Sequence, residues 1–171
     1  RLYHLSYQPQ RWLLNRADAV ATVSGTTKKL MQKHHLTKRP VVVVYNAPEK
    51  QDVTIEAGSF NSKNLVYIGS FMPYKNVDTL VEAAGLLPGY HLHLLSRITA
   101  ARKQTLQALA NKVGAKVTFH NGVTDQEYRA LLKDAFALVS ASKDEGFGIP
   151  LVEAMQQGIP VVVTELDIFK E

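Results

Sequence analysis

The 171-residue chain contains no cysteine. That excludes a disulfide scaffold and any thiolate metal site, and it fits a reducing compartment such as the cytoplasm. No apolar run approaches the roughly 20 residues that a membrane span needs, and no leader-type segment stands in the sequence. Internal repeats and low-complexity tracts are missing too. Aromatic residues make up 8% of the chain, with a single tryptophan. They interleave little with the basic residues and no nucleic-acid module is recognisable, so no nucleic-acid partner is expected. A Gly-x-Ser-x-Gly elbow for serine nucleophile chemistry is lacking. What remains is a globular chain whose 46% hydrophobic content can fill a core, enough for one domain, or one domain and part of another.

The net charge of +5 is unevenly spread. Residues 1–50 hold nine Lys/Arg against two Asp/Glu, a balance of +7, while residues 51–171 hold eleven against thirteen, a balance of −2. The first part can face an anionic partner, such as an acidic membrane surface or a phosphorylated acceptor; a solvated basic helix face explains the same numbers.

Strand and helix patterns alternate throughout. Residues 8–18 read as a helix containing Trp12, Leu13 and Leu14; 19–23 as a short buried strand; 26–35 as a helix with Leu30 and Met31 inside. The β-branched run at 41–45 reads as a buried parallel strand. Residues 46–64 are rich in Pro, Gly, Ser and Asn and read as a linker. Strands are then expected at 65–69, 92–95, 116–120, 136–140 and 159–163. Helices are expected at 76–87, 100–113, 124–134 and 150–157, the third opened by the capping-box sequence Thr124-Asp-Gln-Glu127. The expected fold is therefore α/β, a Rossmann-like doubly wound parallel sheet with ligand chemistry at the carboxyl ends of its strands. Loops 69–76, 96–99 and 143–149 and the turn at 120–124 all follow strand ends.

The most informative of these is Asp144-Glu-Gly-Phe-Gly-Ile-Pro-Leu-Val-Glu153. It spaces Glu145 and Glu153 about 10 Å apart across a glycine pair and a helix start. Gly146 and Gly148 allow close backbone approach, Pro150 suits the first helical position, where no N–H is needed, and the amides of that first turn favour an anion such as a diphosphate. A capped helix with no ligand explains the same residues. A glycosidase also uses two carboxylates, but it does not need a glycine-rich helix entry. His91 and His93 share a strand face, as metal ligands sometimes do. No third ligand is evident, so packing histidines are expected and no metal.

This block, continued by Ala-Met and by Gly158-Ile-Pro-Val-Val-Val163, resembles the signature of the family-four retaining glycosyltransferases. Tyr67-Ile-Gly-Ser-Phe-Met-Pro-Tyr-Lys-Asn76 resembles that family's phosphate loop, and Phe119-His-Asn-Gly-Val-Thr-Asp-Gln-Glu127 its base-contacting turn. Ala17-Asp-Ala-Val-Ala-Thr-Val-Ser24 and Asn46-Ala-Pro48 resemble the end of its N-terminal domain and its interdomain linker. The resemblance implies the GT-B architecture of two facing Rossmann-like domains. Residues 1–47 would be a partial βαβ remnant of the acceptor-side domain, 48–63 the linker, and 64–171 a C-terminal nucleotide-sugar domain incomplete at its end. The implied donor is a UDP- or GDP-sugar, used without metal or other cofactor and with retention of anomeric configuration. Glu145 and Lys75 would be the catalytic groups, Glu145 near the transferred sugar and Lys75 on the diphosphate. Glu153 would hold the ribose hydroxyls. Gly146, Phe147, Gly148 and Gly69 would line the sugar and phosphate, and the backbone at Gly122 and Val123 would contact the base. The family usually carries an arginine where this chain has Ser70, and Arg97 is the candidate replacement. The implied whole protein is a cytoplasmic enzyme, peripheral to the membrane, and the chain alone is expected to be inactive. A non-catalytic nucleotide-binding module on the same fold and a nucleotide-sugar epimerase are the alternatives.

Overall fold

The structure, a computed structural model, describes residues 8–48 and 62–171. The chain divides into two compact units. One comprises residues 1–47 with 145–147 and 166–171; the other comprises 48–144 with 148–165. Most of the segment read as a linker lies outside the described residues.

In the first unit, helix α1 (Gln8–Leu14) leads to strand β1 (Val20–Thr22), helix α2 (Gly25–Lys33) and strand β2 (Val41–Val43). The two strands form a parallel pair in the register Val20–Val41. Ser24 caps α2 by accepting the Thr27 amide at 3.1 Å, as a short hydroxyl side chain does at an N-cap. A short C-terminal helix, α7 (Asp167–Lys170), belongs to the same unit. Just beyond it, the Glu171 carboxylate accepts the amides of Gly25 and Thr26 at 2.5 and 3.0 Å and the Tyr45 hydroxyl at 2.9 Å. Those hydrogen bonds, the Gly25 amide first, hold its pKa down to about 2. Two expectations are corrected here. Val42, Val44 and Tyr45 are about half exposed, so the 41–45 run is no buried strand: among the described residues only β1 pairs with it. Leu30 is exposed while Met31 is buried, because successive helical residues point about 100° apart.

The second unit holds five parallel strands: β3 (Asn64–Ile68), β4 (His91–Leu95), β5 (Lys116–His120), β6 (Ala135–Ser140) and β7 (Val161–Val163). They alternate with α3 (Val77–Gly85), α4 (Ala100–Val113), α5 (Asp125–Lys133) and α6 (Ile149–Gln156). The order across the sheet is β5-β4-β3-β6-β7, with every pair parallel. The chain therefore starts in the middle, winds one way through β4 and β5, then crosses back to β6. This is the doubly wound order, and its switch point lies between β3 and β6.

Strand periodicity sends Leu65, Tyr67, Leu92, Leu94, Ala137 and Val139 to one core, where they meet Val77, Val81 and Ala84 of α3 and Leu106 and Ala110 of α4. Burial of each large side chain stabilises the unit by about 1.5–3 kcal/mol. Across the Asp78–Arg102 ion pair, whose Nη1–Oδ1 distance is 3.0 Å, α3 and α4 are tied to each other.

The opposite face of β3–β5 carries a polar ladder. His91 Nε2 lies 2.8 Å from Thr118 Oγ1. His93 bridges His120 Nε2 at 3.0 Å and Asn64 Oδ1 at 3.3 Å. The His91 and His93 rings lie tilted at 41° with centroids 4.1 Å apart, neighbours on their shared strand face, and His93 stacks on His120 at 5.3 Å. Among the described residues no three His, Cys, Asp or Glu are placed to hold a metal.

Candidate nucleotide-sugar site

The loops that follow β3 and β6 leave the sheet on the two sides of the switch point. In a doubly wound sheet that crevice, at the carboxyl ends of the strands, is where ligands bind.

After β3, Gly69 and Ser70 turn the chain away. The buried Tyr67 sends its hydroxyl to the Ser70 carbonyl at 2.6 Å, which fixes the loop from beneath. A side chain at Gly69 would strike that hydroxyl, a Cβ there lying 2.8 Å from it. A 3-10 turn at Pro73–Lys75 follows, and Asn76, in the left-handed region at φ 52°, starts α3. Lys75 Nζ stands 5.2 Å from the Tyr74 ring centroid, a cation–π distance. The Tyr74 carbonyl accepts the Lys143 amide at 2.8 Å, so the β3 loop is bonded to the β6 loop.

After β6, Thr164 beyond β7 donates its hydroxyl to the Ser142 carbonyl and steadies the start of the motif. Gly148 adopts φ 93° as the N-cap of α6, a conformation that side-chain-bearing residues rarely take. Pro150 is the second helical residue, one later than expected, since α6 begins at Ile149. It has no N–H, and Leu151 and Val152 direct theirs to the Gly148 carbonyl. The amides this turn can offer an anion are therefore those of Gly148 and Ile149. One turn along α6, Glu153 accepts the Tyr128 hydroxyl on Oε2 at 2.8 Å.

β4 and β5 supply the remaining loops of this edge. Arg97 follows β4 and is exposed. The Ser96 amide donates to the His120 carbonyl at 3.2 Å, and the Ile98 amide to Asn121 Oδ1 at 3.1 Å, so these two loops are joined as well. Gly122 makes its turn at φ 89°, and α5 then opens with a full capping box in which Thr124 and Glu127 satisfy each other's backbone amides. That closes the turn holding Gly122 and Val123.

Gly69, Ser70, Lys75, Arg97, Gly122, Val123, Gly148 and Glu153 therefore all sit at the carboxyl edge of one sheet. Glu145, Gly146 and Phe147 group with the first unit, where the Phe147 ring lies 6.3 Å from that of Tyr45. A Cβ built on Gly146 meets nothing within 4 Å, so packing does not explain that glycine. Sequence reasoning missed two residues of this edge, Tyr67 and Tyr128. Tyr67 lay inside a quoted motif, but nothing in the motif marks a hydroxyl turned back to Ser70. Tyr128 lay on an expected helix whose partner is 25 residues away.

Comparison with known proteins agrees with this fold. The chain superposes on HepE from Anabaena, whose crystal structure is a complex with UDP and glucose, with a TM-score of 0.77 at 21% identity, covering 96% of this chain and 49% of HepE. It superposes on the sucrose-phosphate synthase of Thermosynechococcus elongatus with a TM-score of 0.75 at 22% identity, covering 94% and 44%. In sequence it is 30% identical over 161 residues to the O-antigen chain mannosyltransferase RfbU of Salmonella typhimurium, covering 92% of this chain and 45% of RfbU. The chain thus spans about half the length of each of these three relatives. Residues 49–171 match the family described as glycosyl transferases group 1, and the chain belongs to that family.

Proposed function

We propose that the whole protein transfers a sugar from a UDP- or GDP-sugar to an acceptor with retention of anomeric configuration, and that this chain carries the donor-binding half and is inactive alone. One observation carries the reading. The phosphate-type loop bearing Lys75 and the Glu-x7-Glu loop bearing Gly148 and Glu153 flank a single switch point and are bonded to each other. The UDP and glucose bound to HepE, and the sugar transfer named for RfbU, support it.

In this reading the Gly148 and Ile149 amides and Lys75 receive the diphosphate. Their attraction grows as the leaving group gains charge, which is the differential stabilisation that accelerates transfer. Glu153 accepts the ribose hydroxyls, the Gly122–Val123 backbone reads the base, and Glu145 accepts hydroxyls of the transferred sugar. No metal is required, since backbone amides and cations neutralise the phosphates. Arg97, exposed at the end of the neighbouring strand, supplies the cation that Ser70 lacks.

The exposed arginines and lysines of the first unit suit an acidic membrane surface from the cytoplasmic side. Arg11, Trp12, Arg16, Lys38 and Arg39 line an open groove of about 810 Å³, and Trp12 and Leu13 are each 60% exposed. Cations beside exposed apolar rings are the composition that binds an anionic interface. Among the described residues no helix is long and apolar enough to cross a membrane.

Ser70 also favours a second reading, a non-catalytic nucleotide-binding module. Incubation of the whole protein with UDP- and GDP-sugars and candidate acceptors separates the two. Transfer with the donor's anomeric configuration kept, read by NMR of the product, supports the first reading. Nucleotide binding without transfer supports the second, and conversion of the donor sugar without an acceptor would indicate an epimerase.

A further inference from the structure

Tyr128 and Glu153 meet across two helices, and neither is in the apolar core. Tyr128 is the fourth residue of α5, and its amide donates to the Thr124 carbonyl at 2.9 Å, so the capping box sets its position. Its ring is half-buried and its hydroxyl reaches Glu153 Oε2 at 2.8 Å. Burial first, and then the hydrogen bond to Glu153, raise the phenol pKa well above its ordinary value. The group is therefore a standing donor at every working pH.

A glutamate has three rotatable bonds, and holding one orientation costs on the order of 1.5–2 kcal/mol of rotamer entropy. A ligand that must order the side chain itself binds more weakly by that amount; a carboxylate already held by a neighbour does not impose the cost. The phenol occupies only Oε2. A carboxylate accepts on both oxygens, so Oε1 remains able to take a hydroxyl donor. A purely structural clasp between α5 and α6 would need no charge, and a neutral amide would accept the same bond without the desolvation cost of a carboxylate. α5 also begins immediately after the Gly122–Val123 turn. One helix thus follows the base-facing turn and carries the residue that holds the carboxylate.

We propose that Tyr128 is a positioning residue for the donor's nucleoside: its hydroxyl holds Glu153 so that the carboxylate meets the ribose hydroxyls. The proposal rests on the donor-site reading above, and the experiment distinguishes the two. UDP, GDP and their 2′,3′-dideoxy counterparts are titrated calorimetrically into the whole protein and into its Tyr128→Phe variant. The variant keeps the ring and loses only the hydroxyl, and circular dichroism confirms that it is folded.

The variant is expected to lose roughly ten- to thirtyfold in affinity for the preferred nucleotide, the cost of ordering the glutamate side chain that the phenol no longer holds. Its affinity for the dideoxy counterpart should stay within about twofold of the wild type, because the coupling runs through the ribose hydroxyls. An equal loss for both nucleotides makes Tyr128 a structural clasp and overturns the proposal, as does no loss for either. If the wild type binds neither UDP nor GDP, the donor-site reading itself fails and this proposal falls with it.

Discussion

At Gly148 a single residue decides whether the site can form. Its φ of 93° lets the chain turn into α6 at Ile149. Gly148→Ala places a Cβ in a conformation that costs about 1–2 kcal/mol, and relief of that strain reorients the Gly148 and Ile149 amides. We expect a melt lower by several degrees and a larger proportional loss of nucleotide affinity. Nucleotide affinity measured beside the thermal melt checks this; a melt that drops while affinity holds would remove Gly148 from the site. Glu153 was marked out in the sequence as a candidate because Glu-x7-Glu across a helix start is a spacing with a chemical reason. Tyr128 was not: a hydrogen bond between residues 25 apart depends on how two helices pack, and no local pattern encodes that.

The elements were legible to the extent that one local rule governed each. Strand β5 and helix α4 have the expected limits because clean turns bound them: Gly114, at φ 72°, ends the helix, and β5 follows two residues later. The run at 41–45 misled because β-branched residues favour a strand without saying what will cover it. The sheet order was only partly legible, since alternation implies parallel strands but the reversal at β3–β6 is tertiary. Helix α5 is the element on which two predictions turn. Thr124→Ala removes its N-cap and should destabilise the unit by about 1 kcal/mol in urea unfolding.

The histidine ladder beside α5 also makes stability depend on pH. Burial, followed by the neighbouring His91 and His120, lowers the His93 pKa to about 4 from 6.5; Lys116 lowers it too, while Asp134 acts the other way. A histidine whose folded pKa lies below its unfolded value favours the neutral, folded form. Its contribution is therefore complete above pH 6.5 and is lost as pH falls from 6.5 through 4. The melting temperature should drop across that window, by the equivalent of at most about 3 kcal/mol, and His93→Gln should flatten the drop. An unchanged slope in the variant would show that the ladder is not the cause.

On the scale of the whole molecule, the charge asymmetry read from the sequence has a location: the groove between Arg11 and Arg39 in the first unit. If that face meets an acidic membrane, the protein should cosediment with phosphatidylglycerol vesicles but not with phosphatidylcholine vesicles. Binding should fall steeply as salt rises from about 0.1 M towards 1 M, where screening lengths shrink to a few ångströms. Arg16→Glu with Lys38→Glu should abolish it, and salt-independent sedimentation would contradict the electrostatic account. The central claim is that the edge at the β3–β6 switch point binds a nucleotide through Glu153. Calorimetric titration of the whole protein and its Glu153→Ala variant with UDP and GDP tests it most directly. The account predicts that one nucleotide binds and that the substitution weakens it at least about tenfold, the loss of a charged hydrogen-bond acceptor. Binding of neither nucleotide, or equal affinity in the variant, would contradict it.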